Sequence, residues 1–245
     1  QTSPATLTVR VCDGLSCEMA GAKNLLTTLP SLLGKTILVN AGPTHEKLDP
    51  VRFIGNYSSG KMGKAIANEL SSRGAMVHLV LGPVSADGLD TKIHLTKIES
   101  AQEMYKACSE IFTTCDAAIL SAAVADYRPA SQEDQKIKKK TEEFNLELVK
   151  TVDVLKSLGE IKKNHQFLAG FALETQNEQE NALLKLEKKN LDFIILNSMN
   201  DKGAGFGKDT NKITILEKNG KKHTFETKPK KDVAIDIVNL LATYL

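Results

Sequence analysis

The segment between Lys35 and Gly74 constrains the fold more than any other part of the chain. A β-rich apolar run, Thr36 to Asn40, leads into a long polar loop that ends in Ser58-Ser59-Gly60-Lys61-Met62-Gly63, where helical periodicity begins. A strand, a glycine-bearing loop and a helix start together form an anion site, because N–H groups and the helix dipole face the ligand there. The segment therefore predicts an α/β unit that binds phosphate, although a strand-to-helix turn without a ligand is the alternative.

The glycines of this loop do not follow either of the standard nucleotide-binding patterns. Gly42, Gly55, Gly60 and Gly63 lack the G-x-G-x-x-G spacing of dinucleotide-binding loops, and the residue after Gly60-Lys61 is Met62 rather than Ser or Thr of a P-loop. A nicotinamide-dependent oxidoreductase on a Rossmann-like sheet is therefore the less favoured alternative function.

Predicted strands and helices alternate along the rest of the chain. Strands are predicted at residues 36–40, 76–81, 93–98, 116–121, 144–149, 167–173 and 193–197, and helices at 101–112, 152–163, 178–190 and 229–245. This alternation predicts an α/β fold with a Rossmann-like, doubly wound and mostly parallel sheet. Asn219-Gly220 predicts an added antiparallel hairpin. Ligands bind such sheets beyond the carboxyl ends of the strands, so loops 41–60, 82–88, 122–140 and 172–177 are the candidate site.

Composition narrows the class of protein. The 245 residues carry a net charge of only +2, which gives no general case for a nucleic-acid partner. No apolar run reaches the ~18 residues of a membrane span, so no membrane partner is expected. Four cysteines at irregular spacing do not form a disulfide framework, and a cytoplasmic location is predicted.

Three groups of charged residues lie in or near the candidate loops. Asp126 follows a buried strand, where a carboxylate can contact a ligand or cap a turn. The run Lys136 to Lys140 is either a solvated surface or a mobile cationic loop that closes over a polyphosphate. Lys185 and Lys189 are spaced to share one helix face, which ordinarily faces solvent.

Together, seven motifs of this chain resemble those of the phosphopantothenoylcysteine synthetase family, in its bacterial, CTP-dependent form. The motifs are Ala41 to Gly63, Gly82 to Ser85, Ala122 to Pro129, Lys136 to Lys139, Gly170 to Thr175, Lys189 to Asp192 and Gly205 to Asn211. The resemblance covers residues 35–245, in order and at compatible spacing, and this range is predicted to be the synthetase domain.

The resemblance implies a ligase of coenzyme A biosynthesis. Such an enzyme joins 4′-phosphopantothenate to L-cysteine through an acyl-cytidylate and releases CMP and pyrophosphate. The resemblance also implies Mg²⁺ accompanying CTP and a homodimer, and an ATP-dependent version of the ligase stays open. A flavin is not expected, because the decarboxylase half found in many bacterial relatives lies outside this sequence.

The resemblance also assigns site residues. It implies catalytic roles for Asn56, Arg52 and Lys136, with Asn56 supporting turnover of the intermediate. It implies nucleotide contacts for Asp126, Lys136, Val152, Asp153, Val154, Leu155, Phe171, Lys185 and Lys189, although Val152 replaces a proline common in the family. Residues Gly42, Ser58, Ser59, Gly60, Lys61 and Gly63 are predicted to form the loop around substrate phosphate. No metal-ligating side chains are predicted.

Residues 1–34 do not fit this family. Their Cys12 and Cys17 resemble part of the thioredoxin-like [2Fe–2S] subunit of NADH:quinone oxidoreductase. The remaining cysteines, Cys108 and Cys115, lack the spacing of the partner pair, so a cluster is not expected. The segment is predicted to be an N-terminal extension or fused fragment without an independent function.

Overall fold

A computed structural model describes residues 31–138, 143–174, 176–198 and 207–245, apart from the side chain of Ser198. The strands are β1 (Thr36–Ala41), β2 (His45–Lys47), β3 (Phe53–Gly55), β4 (Met76–Leu81), β5 (His94–Lys97), β6 (Ala117–Leu120), β7 (Tyr127–Pro129), β8 (Leu148–Lys150), β9 (Phe167–Glu174), β10 (Phe193–Ser198), β11 (Thr210–Asn211), β12 (Thr214–Glu217), β13 (Lys222–Thr224) and β14 (Lys228–Pro229). The helices are α1 (Lys61–Ser72), α2 (Ala101–Phe112), α3 (Val154–Ile161), α4 (Glu178–Lys188) and α5 (Lys230–Ala242).

The central sheet has eight strands in the order β13-β12-β10-β9-β6-β1-β4-β5. Six of them, β10 to β5 in that order, are parallel, and the hairpin β12–β13 continues the sheet in the antiparallel sense. The chain runs outward from β1 in one direction through β4 and β5, and in the other through β6, β9 and β10. The strand order therefore reverses between β1 and β6, which confirms the predicted doubly wound fold with an added hairpin.

Alternate residues of β1 face two separate cores. Ile37 and Val39 belong to a cluster that includes buried residues of α1 and α5, whereas Leu38 belongs to a second cluster that includes residues of α2, α3 and α4. This period of two places helices on both faces of the sheet. Leu32, predicted to precede the domain, is 1% exposed in the first cluster.

Local signals explain the boundaries of several elements. Ser100 and Glu103 form a capping box, and α2 begins after it at Ala101, the predicted start of this helix. Gly220 has a φ of 87° in the predicted Asn-Gly turn. Asp153 caps α3, which begins at Val154 and is shorter than the predicted 152–163 helix.

The predicted strand at 144–149 is mostly wrong. Residues 144–147 are irregular, and strand pairing starts only at Leu148, where β8 meets β7 in an antiparallel pair. Residue alternation alone does not create a strand when no neighbouring strand pairs with it. Within loop 41–60, the short β2–β3 hairpin was not predicted.

The two described cysteines are core residues. Cys108 and Cys115 are buried in the second cluster as free thiols, and burial raises the pKa of Cys108 to about 12 and that of Cys115 to about 11. Cys12, Cys17 and the rest of residues 1–30 lie outside the described residues.

Among the helices that the structure describes, none is long and apolar enough to cross a membrane.

Candidate functional site

A cavity of about 790 Å³ opens at the carboxyl ends of the parallel strands. Asn40 of β1 and Leu120 of β6 line it on either side of the point where the strand order reverses, and Leu173 of β9 and Asn197 of β10 extend it. Its volume lies in the range of small-molecule sites. The cavity therefore lies at the edge of the sheet where the topology rule predicted a ligand site.

The predicted phosphate loop forms one wall of this cavity. Ser58, Ser59, Gly60, Lys61 and Gly63 all line it. Gly60 precedes α1 with a φ of 69°, a left-handed conformation that glycine adopts without strain, and α1 has no acidic residue in its first turn. Gly42, predicted in the same group, is not a lining residue. It lies behind the loop, where a Cβ would come within 3.3 Å of Gly82 N.

Asn56 holds the loop onto the segment that follows β6. Its Nδ2 donates to the carbonyl oxygens of Ala123 and Val124, each at 3.1 Å. Thr44 Oγ1 accepts from Ala125 N at 3.0 Å, which ties the same two segments together a second time. Asp126 comes next in the chain and lines the cavity. The structure thus brings Asn56 and Asp126, predicted from separate motifs, to one wall.

The predicted nucleotide segment Val152 to Leu155 lines the cavity at the start of α3, together with Phe171. Asp153 Oδ1 accepts from Lys156 N at 3.0 Å, and the Asp153 carboxylate lies 2.8 Å from Lys189 Nζ. Burial raises the pKa of Asp153, but the hydrogen bonds and charge of Lys189 and the Lys156 N–H more than offset it, so this pKa lies below its ordinary value. Lys189 is itself a lining residue.

This double role of Asp153 gives a stability prediction. Asp153→Ala removes both the cap and the ion pair and should lower the free energy of unfolding by about 1 kcal/mol, the usual value of an N-cap. Asp153→Asn keeps the cap and should cost less than about 0.5 kcal/mol, because the pair is half exposed. Urea denaturation of both variants measures the difference, and equal losses would show that the charge, rather than the cap, stabilises α3.

Besides Gly42, three predicted residues lie outside the cavity lining. Arg52 forms an ion pair with Asp49 and donates to Ile137 O at 2.9 Å, while Asp49 Oδ2 accepts from Ile137 N at 3.1 Å. The Arg52 side chain holds the pKa of Asp49 well below its usual range. Lys136 is the exposed residue next to Ile137, so Arg52 and Asp49 position the start of the lysine run.

Lys185 is the third of these residues. Its Nζ lies 2.6 Å from Glu174 Oε1 at the end of β9, and the Lys185 side chain is not part of the cavity lining. Lys139, Lys140 and the glycine-rich residues 203–206 lie outside the described residues.

Several further polar residues at the cavity were not predicted as site residues. Asn197 has a buried Oδ1 without a hydrogen-bond partner among the residues that the structure describes. Asn211 and Lys230 also line the cavity, and Asp209 contacts Lys61. Asn197 ends a predicted parallel strand, so the rule that selected Asp126 would have found it. No local sequence pattern marks Lys230, which lines the cavity because the complete fold brings the start of α5 to it.

Comparison with known proteins identifies the family of this chain. Residues 32–245 match the family described as DNA/pantothenate metabolism flavoprotein C-terminal domain. The chain belongs to this family. It is 44% identical over 215 residues to the coenzyme A biosynthesis bifunctional protein CoaBC of Bacillus subtilis, which covers 88% of this chain and 53% of that protein. The match confirms the predicted resemblance to phosphopantothenoylcysteine synthetases.

Solved structures agree with this assignment. The crystal structure of the C-terminal domain of CoaBC is 41% identical, with a TM-score of 0.74, and covers 87% of this chain and 97% of that domain. A Cab2 variant in complex with phosphopantothenate-cysteine is only 15% identical but has a TM-score of 0.66, over 92% of this chain and 94% of that one. The second match supports the fold alone.

Another relative carries a different functional name. A protein of an unknown prokaryotic organism, named cysteine/cysteine sulfinic acid decarboxylase, is 49% identical over 222 residues, covering 91% of this chain and 62% of that protein. This chain thus spans about half to three-fifths of the length of these curated relatives. The names describe longer proteins that share this domain.

Proposed function

We propose that this domain is a phosphopantothenate–cysteine ligase of coenzyme A biosynthesis that uses CTP and acts in the cytoplasm. The observation that carries the proposal is the cavity at the strand ends. The cavity contains Asn56, Lys61, Lys230 and the start of α1, whose N–H groups have no side-chain cap. The domain that contains it matches almost the whole C-terminal domain of CoaBC. This set of groups suits a reaction in which phosphate charge must be neutralised and an acyl group positioned.

The proposed reaction has two steps. A carboxylate oxygen of 4′-phosphopantothenate attacks the α-phosphorus of CTP, which forms an acyl-cytidylate and releases pyrophosphate. The amino group of cysteine then attacks the acyl carbon and expels CMP, and the amine loses a proton as the amide forms. In this reaction the N–H groups at the start of α1 and the Lys61 ammonium would hold phosphate oxygens, because Gly60 and Lys61 line the cavity.

The opposite wall fits the nucleoside. Phe171 offers an apolar surface, and the start of α3 presents N–H groups near Val154 and Leu155. The buried Oδ1 of Asn197 accepts hydrogen bonds, so a ligand that donates an amino or hydroxyl hydrogen would satisfy it. Cytosine and ribose both carry such donors, and adenine does as well, so CTP specificity is the finer part of the proposal.

Magnesium enters this proposal with the nucleotide. Among the described residues, no group of three or more His, Cys, Asp or Glu side chains is placed to hold a metal ion. Mg²⁺ commonly keeps its water ligands and binds mainly through substrate phosphates, with one or two carboxylates. Asp126 and Asp153 both line the cavity, and Asp153 pairs with Lys189, so Asp126 is the carboxylate that would contact such a hydrated ion. When bound, Mg²⁺ would neutralise phosphate charge.

A homodimer is also part of the proposal. Phe53 and Tyr57, on either side of Asn56 in the chain, expose 51% and 93% of their surface, and Tyr127, a lining residue of the cavity, exposes 46%. Large apolar side chains of this kind are more favourable when a partner covers them. A second copy that packs here would cover one side of the cavity.

The test is a product assay with the purified chain. Supplied with 4′-phosphopantothenate, L-cysteine, Mg²⁺ and CTP, it should release CMP, pyrophosphate and phosphopantothenoylcysteine in equal amounts. Reactions with ATP instead of CTP test the nucleotide preference, and reactions without cysteine should accumulate no amide. Release of CO₂ from cysteine without any nucleotide would instead support the decarboxylase chemistry named for one relative. Absence of amide with both nucleotides would overturn the ligase proposal.

A further inference from the structure

Two lysines from distant parts of the chain meet at one end of the cavity. Lys61 is the first residue of α1 and Lys230 the first residue of α5, and both line the cavity. Lys230 is only 9% exposed, and its Nζ donates to Lys208 O at 2.5 Å. Burial and then the Lys61 charge lower the pKa of Lys230, whereas Asp209 raises it. These three charged side chains therefore act on one another electrostatically.

Asp209 places a carboxylate at this cationic end. Its Oδ1 lies 2.6 Å from Lys61 Nζ, and its backbone oxygen accepts from Lys230 N at 2.9 Å. The ion pair is open to water, since the Asp209 side chain is 87% exposed and that of Lys61 is 44% exposed. Exposed pairs of this kind contribute little to stability and are easily exchanged. An anionic oxygen thus already lies against Lys61 beside the first turn of α1.

We propose that Asp209 is an internal anion that competes with phosphate for a subsite formed by Lys61, Lys230 and the first turn of α1. In the free protein the Asp209 carboxylate pairs with Lys61. A phosphate ligand, which has more charge and more acceptor oxygens, displaces this carboxylate and binds both lysines. The proposal deepens the proposed function, on which it rests for the identity of its phosphate ligands.

Calorimetric titration with pyrophosphate in the absence of Mg²⁺ tests the competition. Asp209→Asn removes the competing charge and should tighten pyrophosphate binding about 3- to 5-fold, the range that an exposed ion pair supports. Lys61→Met and Lys230→Met should each weaken it about 10-fold, because a charge-assisted hydrogen bond is lost. In the Lys61→Met background, Asp209→Asn should have a much smaller effect, because its partner is missing.

Matched controls come from the contact between α1 and the loop that follows β4. Lys64 donates to the backbone oxygens of Ser85 and Asp87 and is not a lining residue, so Lys64→Met and Asp87→Asn alter the same charges away from the subsite. Both should leave pyrophosphate binding unchanged within about 2-fold. Unchanged or weaker binding by Asp209→Asn would overturn the proposal and make Asp209 a structural or ligand-holding residue.

Separate titrations with CTP and with 4′-phosphopantothenate identify the source of the phosphate. The ligand whose affinity rises in Asp209→Asn is the one that uses the subsite. This outcome is independent of turnover. If the parent chain makes no amide but the Asp209→Asn variant binds pyrophosphate more tightly than the parent, only the ligase proposal is overturned. If the parent chain makes amide but the variant does not bind pyrophosphate more tightly, only the competition proposal is overturned.

Discussion

Replacing Asn56 with aspartate is expected to slow amide formation about 100-fold, a loss typical of a misplaced catalytic loop. Asn56 Nδ2 donates to two carbonyl oxygens, those of Ala123 and Val124. Aspartate has no N–H donor at this position and would set its negative charge against both oxygens. The loop would therefore lose its attachment to the wall that carries Asp126.

Pyrophosphate release in the first turnover should be affected much less than amide formation. The groups proposed to hold phosphate, at the start of α1, lie beyond Asn56 in the loop, and the resemblance assigns Asn56 to turnover of the intermediate. Single-turnover measurements of pyrophosphate and amide separate the two steps. Equal slowing of both would mean that Asn56 positions the whole site rather than serving the second step.

Asn68→Asp is a matched control for this variant. Asn68 lies on α1, and its Nδ2 also donates to a backbone oxygen, that of Gly88, at 2.8 Å. Asn68 is not a lining residue of the cavity. Loss of the same type of hydrogen bond there should leave both steps within about 2-fold of the parent, since distant independent sites rarely couple.

The sequence predicted the fold because its signals were local and repeated. Apolar β-rich runs such as 36–40 and 193–197 became central strands, and Asn219-Gly220 became a tight turn. The strand prediction at 144–149 was mostly wrong because alternation of apolar and polar residues indicates only that one face of a strand can be buried. It does not indicate which strand would pair with it. That partner, β7, spans three residues and has no strong signal of its own.

For the candidate site, the sequence predicted which residues line the cavity better than it predicted their ion pairs. Local motifs placed Asn56, Asp126 and Asp153 at one cavity, but they could not show which partner each charged residue selects. Lys185 pairs with Glu174, a choice that depends on the turn between β9 and α4. Lys61 and Asp209 are 148 residues apart, and their contact depends on the complete topology.

Substituting Gly63 with alanine should produce a large loss of stability and of nucleotide binding together. Gly63 lies in the first turn of α1, which packs directly on the end of β1. A Cβ there would be 2.5 Å from Ala41 Cβ and 2.5 Å from Ser121 Oγ. Ala41 Cβ is fixed to the strand, and Ser121 Oγ donates to Asn40 O at 2.7 Å, so neither atom moves freely.

The start of α1 must therefore move away from the sheet. Alanine favours a helix over glycine by about 1 kcal/mol, but overpacking costs up to about 3 kcal/mol, so a net loss of about 2 kcal/mol is expected. Displacement of α1 would also misalign the N–H groups proposed to bind phosphate. Urea denaturation measures the first effect, and calorimetric titration with CTP measures the second, for which a loss of at least about 10-fold is expected.

Gly170→Ala supplies the comparison. A Cβ at Gly170 in β9 would be 2.4 Å from Leu155 Cδ2, the end of a flexible side chain that can adopt another rotamer. Its net cost should therefore stay below about 1.5 kcal/mol, the range for a tolerated core change. If Gly63→Ala proves as mild as Gly170→Ala in stability and keeps its affinity for CTP, α1 adjusts without moving its first turn. Close packing of α1 on β1 would then not be what positions the phosphate site.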